Sequence, residues 1–298
     1  MIIDNDKMKR LLKEKGINKS QLVDKLGISS RTLAKISKGE NISESVVAKI
    51  CDYLNCQKQD ILKCSAILLR LRQELINKVE NSLYHMTQVL LTYNSNHIEG
   101  SQLTEEQTRF IFETQTIGQL PNNIKLDDII ETRNHFKCID YVILNADNEL
   151  NADFIKTLQY KLKLGTQHAD NFQIGEYKRF ANTVGGIETT NPQNVEKTMN
   201  ELLKEYNSNK SKTLFDIVEF HYKFEKIHPF QDGNGRIGRL IAFKECLKND
   251  IMPFYIADQF KYEYYQGLSK WNEESNYLLE TCKLGQELYS RLVDYFNS

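Results

Sequence analysis

The chain predicts a mainly helical fold in two parts, a small N-terminal helical bundle and a larger one interrupted by a short β-hairpin. Only four prolines occur in 298 residues, and long stretches rich in Leu, Lys, Glu and Ile space their apolar residues as helices with one buried face. Residues 175–192 break this habit, with Gly175, Gly185 and Gly186 set among β-tolerant residues. Charge divides the chain too: residues 1–63 hold 13 Lys and Arg against 8 Asp and Glu, and the remainder holds 26 against 32. An anionic partner is therefore expected for the N-terminal segment alone. Because single cores rarely grow beyond roughly 250 to 300 residues, we expect domains over 1–63 and 64–298.

In the first part, residues 6–15 form a helix closed near Gly16, and Asn18-Lys19-Ser20 opens a second with Leu22, Val23 and Leu26 inward. Gly27 turns the chain. Ser29 and Ser30 supply the cap of a third helix, which carries Leu33 and Ile36 and ends at Lys38-Gly39-Glu40. A fourth starts from Ser43 with Val46, Val47, Ile50 and Leu54 inward, and Gln57 to Leu62 closes the unit. Helices two and three have a helix-turn-helix spacing. The run from Leu26 to Glu40, Leu-Gly-Ile-Ser-x-x-Thr-Leu-x-Lys-Ile-x-Lys-Gly-Glu, resembles the Cro/repressor-type (XRE-like) DNA-binding domain. That resemblance implies a third helix in the major groove of duplex DNA, with Ser29, Ser30, Arg31, Thr32 and Lys35 as readers and Lys38 on phosphate. The competing reading of this bundle is a protein-contact module whose charge only solvates it.

In the second part, Ala66 to Tyr93 reads as strongly helical, with Leu68, Leu71, Leu75, Val79, Leu83 and Leu90 among its apolar positions. Ser95-Asn96-His97-Ile98-Glu99-Gly100 follows, placing Glu99 at a helix end stopped by Gly100. Thr104 and Gln107 form a capping box for the next helix. Further helices are expected over 127–144 and 151–163. The segment 175–192 suggests a hairpin, after which Asn191 and Pro192 open another helix as cap and first residue. Leu214 to Ile227 is helical by the spacing of Ile217, Phe220, Phe224 and Ile227, and Pro229 stops it. Ile237, Leu240, Ile241 and Cys246 mark the helix after it. Residues 251–254 and Phe260 read as core, and an amphipathic helix runs through Leu284, Leu288 and Leu292.

Between the helix ending at Ile227 and the one marked by Leu240, Ile241 and Cys246, residues 228–239 read His-Pro-Phe-Gln-Asp-Gly-Asn-Gly-Arg-Ile-Gly-Arg. Within twelve positions this run supplies a base, a carboxylate, flexible glycines and two arginines. Gly233-Asn234-Gly235 sits where a helix offers its unpaired N–H groups, an end that attracts phosphate. Arg236 and Arg239 lie three apart on one helical face, and guanidinium forks match phosphate oxygens. Asp232 beside phosphates is a natural Mg2+ ligand, and His228 suits proton abstraction near neutrality.

The run matches the Fic-family signature His-x-Phe-x-(Asp/Glu)-Gly-Asn-Gly-Arg-x-x-Arg at every specified position. The resemblance implies transfer of AMP from ATP to a protein hydroxyl with release of diphosphate. In that scheme His228 deprotonates the hydroxyl and Asp232 holds Mg2+. Gly233, Asn234 and Gly235 hold the α-phosphate, and Arg236 and Arg239 take the β- and γ-phosphates. Gly235 argues against the Doc-like branch, which has lysine there and acts as a kinase. Residues 95–100 match the family's inhibitory pattern (Ser/Thr)-x-x-x-Glu-(Gly/Asn) through Ser95, Glu99 and Gly100, which implies an inhibitory helix over about 81–100 and pairing of Glu99 with Arg239. By the same analogy the hairpin is the flap lining the site. Val184, Gly185, Gly186 and Ile187 then face the nucleotide, and Tyr264, Tyr265 and Asn272 contact adenosine. Paired tyrosines on a helix also cover core edges without any ligand.

Six cysteines (Cys51, Cys56, Cys64, Cys138, Cys246, Cys282) show no metal-like spacing and read as buried thiols. His85, His97, His135, His168 and His221 stand apart from other ligands. No apolar run approaches the roughly 18 residues of a membrane span and no signal-like segment opens the chain, so a cytoplasmic protein is expected. A homodimer is compatible with the sequence. Set against the adenylyltransferase is a DNA-binding regulator whose second part only senses nucleotide, and, within the enzyme class, an enzyme that mainly removes AMP. The undegraded motif favours chemistry.

Overall fold

Four helices make the N-terminal unit: α1 (Asn5–Glu14), α2 (Lys19–Leu26), α3 (Ser30–Ser37) and α4 (Glu44–Leu54). The computed structural model describes residues 3–40, 42–56, 61, 65–116, 124–209 and 211–297, and the chain divides into the units Met1–Ser65 and Ala66–Ser298. Asn18 caps α2 in a reciprocal capping box with Gln21, and Gly27 ends it at a φ of 63°. Ser29 caps α3 by accepting from Thr32 N. Met8, Leu12, Leu22, Ile36, Val47 and Ile50 meet in the core of this unit. Of its expected closing segment, residues 57–60 and 62 lie outside the described residues. Ile61 is buried, and its carbonyl accepts from Asp4 N at 2.8 Å.

The second unit is α5 (Ala66–Ile76), α6 (Leu83–Ile98), α7 (Glu105–Thr114), α8 (Leu126–Asn145), α9 (Ala152–Lys163), α10 (Gln167–Asn171), a hairpin of β1 (Thr183–Val184) and β2 (Ile187–Glu188), then α11 (Pro192–Ser208), α12 (Leu214–Ile227), α13 (Asn234–Lys248), α14 (Lys261–Lys270) and α15 (Ser275–Tyr295). The fold is thus mainly α, with antiparallel pairing of Val184 with Ile187 as its two-stranded element among the described residues. α13 lies at the centre, buried at every position from Asn234 to Leu247 except Arg239. That one opening fixes where the helix can meet a ligand. At its far end the buried Lys244 and Glu245 pair at 2.6 Å, with Asn148 O and the Tyr206 hydroxyl completing their hydrogen bonds. Pairing makes such burial tolerable.

The continuous helix expected from Ala66 to Tyr93 is in fact two. Lys78 and Asn81 adopt positive φ (51° and 48°), and Ser82 starts α6 by accepting from His85 N. Glu74 reaches across the break to accept from Tyr84 N at 2.7 Å, satisfying another N–H of the new helix end. Val79, expected on the apolar face, is 42% exposed in this turn. The capping Ser82 and the two asparagines nearby were the sequence signal for a break, and the leucine periodicity masked it.

α6 is then fixed by polar contacts as well as by its buried Leu83, Val89, Leu91 and Ile98. Gln88 donates to Asp140 Oδ1 (2.6 Å), Thr87 meets the Tyr289 hydroxyl (2.8 Å), Thr92 meets His135 Nδ1 (3.0 Å), and Asn96 donates to Thr132 Oγ1 (3.1 Å). Buried hydrogen bonds at several levels admit one register, because a slip would strand every partner. The C-terminal end of α6 is placed accordingly. α7 begins with the expected Thr104–Gln107 capping box, and α11 with Asn191 and Pro192. The short α10, where His168 stacks on Phe172 with centroids 4.8 Å apart, had no periodic signal. Cys51, Cys138, Cys246 and Cys282 are buried, Cys56 is half-buried, and Cys64 lies outside the described residues.

Candidate active site

α12 delivers the base. His228 follows Ile227 as the capping residue, at φ 50° and ψ 62°, and its N–H bonds to Phe224 O at 2.9 Å. This left-handed conformation stops the helix one residue before Pro229 would. Burial, then the nearby Lys178 ammonium, push the imidazole down to about 4, so it is neutral at pH 7 and able to take a proton. Lys178 donates to Asn182 Oδ1 (2.7 Å) and Ile227 O (3.4 Å), and its N–H to Pro229 O (2.8 Å). Burial pushes its own ammonium down to about 8. Lys178 thereby ties the segment leading to the hairpin onto the histidine loop, as Asn182 does through Phe230 O (3.2 Å).

The turn that follows is held from inside. Asn234 accepts from Phe230 N and donates to Phe230 O, both at 2.8 Å, and is 1% exposed. The Asn234 amide thus braces the loop and leaves the backbone amides of the turn open to an anion. Gly233, at φ 86°, caps α13, and its N–H donates to Asp232 Oδ1 at 2.6 Å. At Gly235 a Cβ would fall 2.2 Å from Glu99 Oε1 and 3.0 Å from Arg239 Nη1. Only glycine lets a carboxylate approach the helix end so closely.

Arg239 accounts for that carboxylate. Its Nη2 donates to Glu99 Oε1 (2.7 Å) and to Ser95 O (2.9 Å), its Nε to Ser95 Oγ (3.0 Å), and its Nη1 faces the Tyr264 hydroxyl (3.4 Å). Burial alone would raise the Glu99 carboxyl, but the Arg239 and Arg236 guanidiniums hold it below the ordinary range. Gly100, at φ 97°, allows the chain to leave directly behind Glu99.

The two arginines of the motif differ. Arg236 is 5% exposed and its Nη1 is held by Glu131 of α8. In this arrangement Arg236 acts as an internal brace that adds positive potential behind the turn. Glu131 also pairs with Lys163, which pairs in turn with Asp232. Burial would raise the Asp232 carboxyl, yet Lys163 and Arg236 take it down to about 2. Ionised and half-exposed, Asp232 fits a hard cation as a single carboxylate ligand whose remaining ligands would be phosphate and water oxygens. No cluster of three or more His, Cys, Asp or Glu suited to a metal occurs among the described residues.

The remaining expected contacts separate by exposure. Val184, Gly185 and Gly186 are exposed at the hairpin tip, where positive φ at both glycines (57° and 79°) makes the tight turn. The side chain of Ile187 lies outside the described residues. Tyr264 is 1% exposed, its hydroxyl 2.7 Å from His221 Nε2, so it backs Arg239 and offers no free surface to adenosine. Tyr265 is 43% exposed with its hydroxyl on Ile98 O (3.1 Å), and the exposed Asn272 accepts from the Tyr222 hydroxyl (3.1 Å). In the N-terminal unit, Ser29, Ser30, Arg31 and Lys38 are exposed around α3, and Thr32 and Lys35 are partly so. The Ser29 and Thr32 hydroxyls bond each other at 2.9 Å.

A neutral histidine facing a glycine-built, arginine-lined helix terminus defines a helical domain made to receive an anionic ligand beside a base. The Fic/DOC family pattern matches residues 149–245 and that of the Cro/C1-type HTH DNA-binding domain residues 7–66, so the chain carries a Fic domain behind a Cro/C1-type domain. It is 28% identical over 184 residues to a Nematostella vectensis protein named protein adenylyltransferase Fic, covering 60% of this chain and 42% of that protein. A protein of the same name from Aedes aegypti is 31% identical over 185 residues, 61% of this chain and 36% of that one. The chain thus spans less than half the length of these relatives. Among solved structures, a Fic domain-containing signalling protein from Bacteroides thetaiotaomicron superposes with a TM-score of 0.61 at 21% identity, covering 76% of this chain and 95% of that one. Fic-1 from C. elegans gives 0.60 at 17%, covering 90% and 78%. At such identities the likeness is one of fold.

Proposed function

We propose that this protein is an adenylyltransferase that moves AMP from ATP to a Ser, Thr or Tyr hydroxyl of a target protein or of itself, releasing diphosphate, and that Glu99 holds it off. The observation that carries this reading is the seat of the Glu99 carboxylate, against Gly235 at the α13 terminus and on Arg239. A helix end opened by glycine and faced by a guanidinium is suited to phosphate, and here an internal anion already fills it. His228 takes the proton of the incoming hydroxyl. The backbone of residues 233–235 receives the α-phosphate, and Arg239 the terminal phosphate once Glu99 has left. Asp232 holds Mg2+, whose contribution when bound is to neutralise phosphate charge. Tyr265 and Asn272 bound the adenosine side, and the hairpin tip at Val184–Gly186 aligns the target backbone by strand-like pairing.

Labelling tests the reading. Wild type and Glu99→Gly are incubated with a host lysate and each α-32P-labelled ribonucleoside triphosphate. Label from ATP on a discrete set of proteins, stronger with the variant, is expected; no label from any nucleotide would leave a regulator that only senses nucleotide. Label that is removed from modified protein faster than it is added would instead favour net removal of AMP, with Glu99 aligning a water.

For the N-terminal unit the proposed partner is duplex DNA, supported by the exposed α3 terminus and its arginine and lysines. Binding of the full chain to its own promoter is expected to weaken as salt rises, because Arg31, Lys35 and Lys38 displace condensed counterions. Gel shifts at stepped ionic strength measure this. No affinity better than about micromolar on any sequence would turn this unit into a protein-contact module. No described helix is long and apolar enough to cross a membrane.

A further inference from the structure

Two polar atoms beside the base are buried without a well-formed hydrogen bond, His228 Nδ1 and Glu225 Oε1, although the Glu225 carbonyl also faces the imidazole and raises its pKa. They belong to neighbouring residues of one face. Glu225 lies one turn back on α12, and its Oε2 stands 4.0 Å from His228 Nδ1, a gap that a small side-chain rotation would close. The carboxyl is packed against α13, where a Cβ on Gly238 would fall 2.6 Å from Glu225 Oε1 and 2.8 Å from the His221 ring. Gly238 therefore makes room for a carboxyl group that the fold leaves unsatisfied. A buried unpaired acid destabilises the protein that keeps it, so its position calls for a use.

We infer that Glu225 is the positioning residue of His228, taking the imidazole Nδ1–H and leaving the Nε2 lone pair directed at the target hydroxyl. This rests on the reading of His228 as the base. The groups facing Glu225 are Arg239 on α13, Glu99 at the end of α6, Tyr264 on α14, and His221 and His228 on its own helix. Burial raises the Glu225 carboxyl to about 8; Arg239 opposes that and Glu99 adds to it. Withdrawal of Glu99 removes a like charge and leaves Arg239 without its carboxylate, both of which favour the ionised form of Glu225 that would close on Nδ1. The inhibitory glutamate would thus keep the base's partner neutral as well as filling the phosphate seat.

The sign of one titration decides the matter. Glu99 itself raises the His228 pKa through its charge, so deleting it lowers that pKa unless an ionised Glu225 takes over. In full-length protein carrying 15N-histidine, Glu99→Gly is expected to show His228 as the Nδ1–H tautomer titrating at a higher pH than in wild type. Adding Glu225→Gln keeps an acceptor and therefore the tautomer, but abolishes the rise. Adding Glu225→Leu loses both, and lowers kcat by about 100-fold with the KM for ATP nearly unchanged. A titration that falls in Glu99→Gly, or a tautomer that survives Glu225→Leu, overturns the inference and leaves the Glu225 carbonyl as the ring's partner. Because the resonances are read without turnover, an inactive Glu99→Gly protein would sink the proposed activity and still decide this one.

Discussion

Glu99→Gly is expected to raise transfer of AMP by about 100-fold or more, since a misplacement of reacting atoms by about an ångström suffices for that factor. In wild type Arg239 Nη2 is engaged at 2.7 Å by Glu99, and its Nε and Nη2 by Ser95. On the proposed reading, ATP entering wild type would seat its γ-phosphate elsewhere and turn its α-phosphate away from in-line attack. Binding of ATP should be retained in both proteins. Arg239→Ala lowers activity, and Glu99→Gly should not rescue it, because the terminal phosphate then has no anchor in either background. Rates for the four proteins at saturating ATP form a double-mutant cycle. Additive effects would show that the pair acts independently, and equal turnover of wild type and Glu99→Gly would leave Glu99 an ordinary helix-end carboxylate.

His228→Ala should lower transfer in the Glu99→Gly background by about 10²- to 10⁴-fold, the usual contribution of a general base, with ATP affinity largely unchanged. The imidazole is kept neutral by burial and by Lys178, and on the proposed reading phosphate affinity would reside elsewhere, in the α13 terminus and Arg239. Single-turnover labelling and equilibrium binding on the same preparations separate the two quantities. Transfer at nearly the parent rate would remove His228 from the chemistry, and loss of ATP binding would mark it as a structural residue.

Most of the fold could be read from local signals because they act locally. Asn18, Ser29, Thr104 and Asn191 cap the helices whose starts they announce, and the two glycines at 185–186 make the hairpin they suggest. One exception, the break at 77–82, arose where a capping serine competed with a leucine pattern that ran straight past it.

By itself the sequence determined the chemistry on offer, since His228, Asp232, the glycines and Arg239 are set by one loop and one helix start. It also determined the partition into a basic helix-turn-helix segment and a larger helical remainder. Only the tertiary structure decided which groups are free to act. Glu131 claims Arg236 from 105 positions away and Glu99 claims Arg239 from 140, while Lys163 reaches Asp232 across 69. Packing alone brings such charges together, and in a buried site the nearest opposite charge settles whether a guanidinium braces the protein or meets a phosphate.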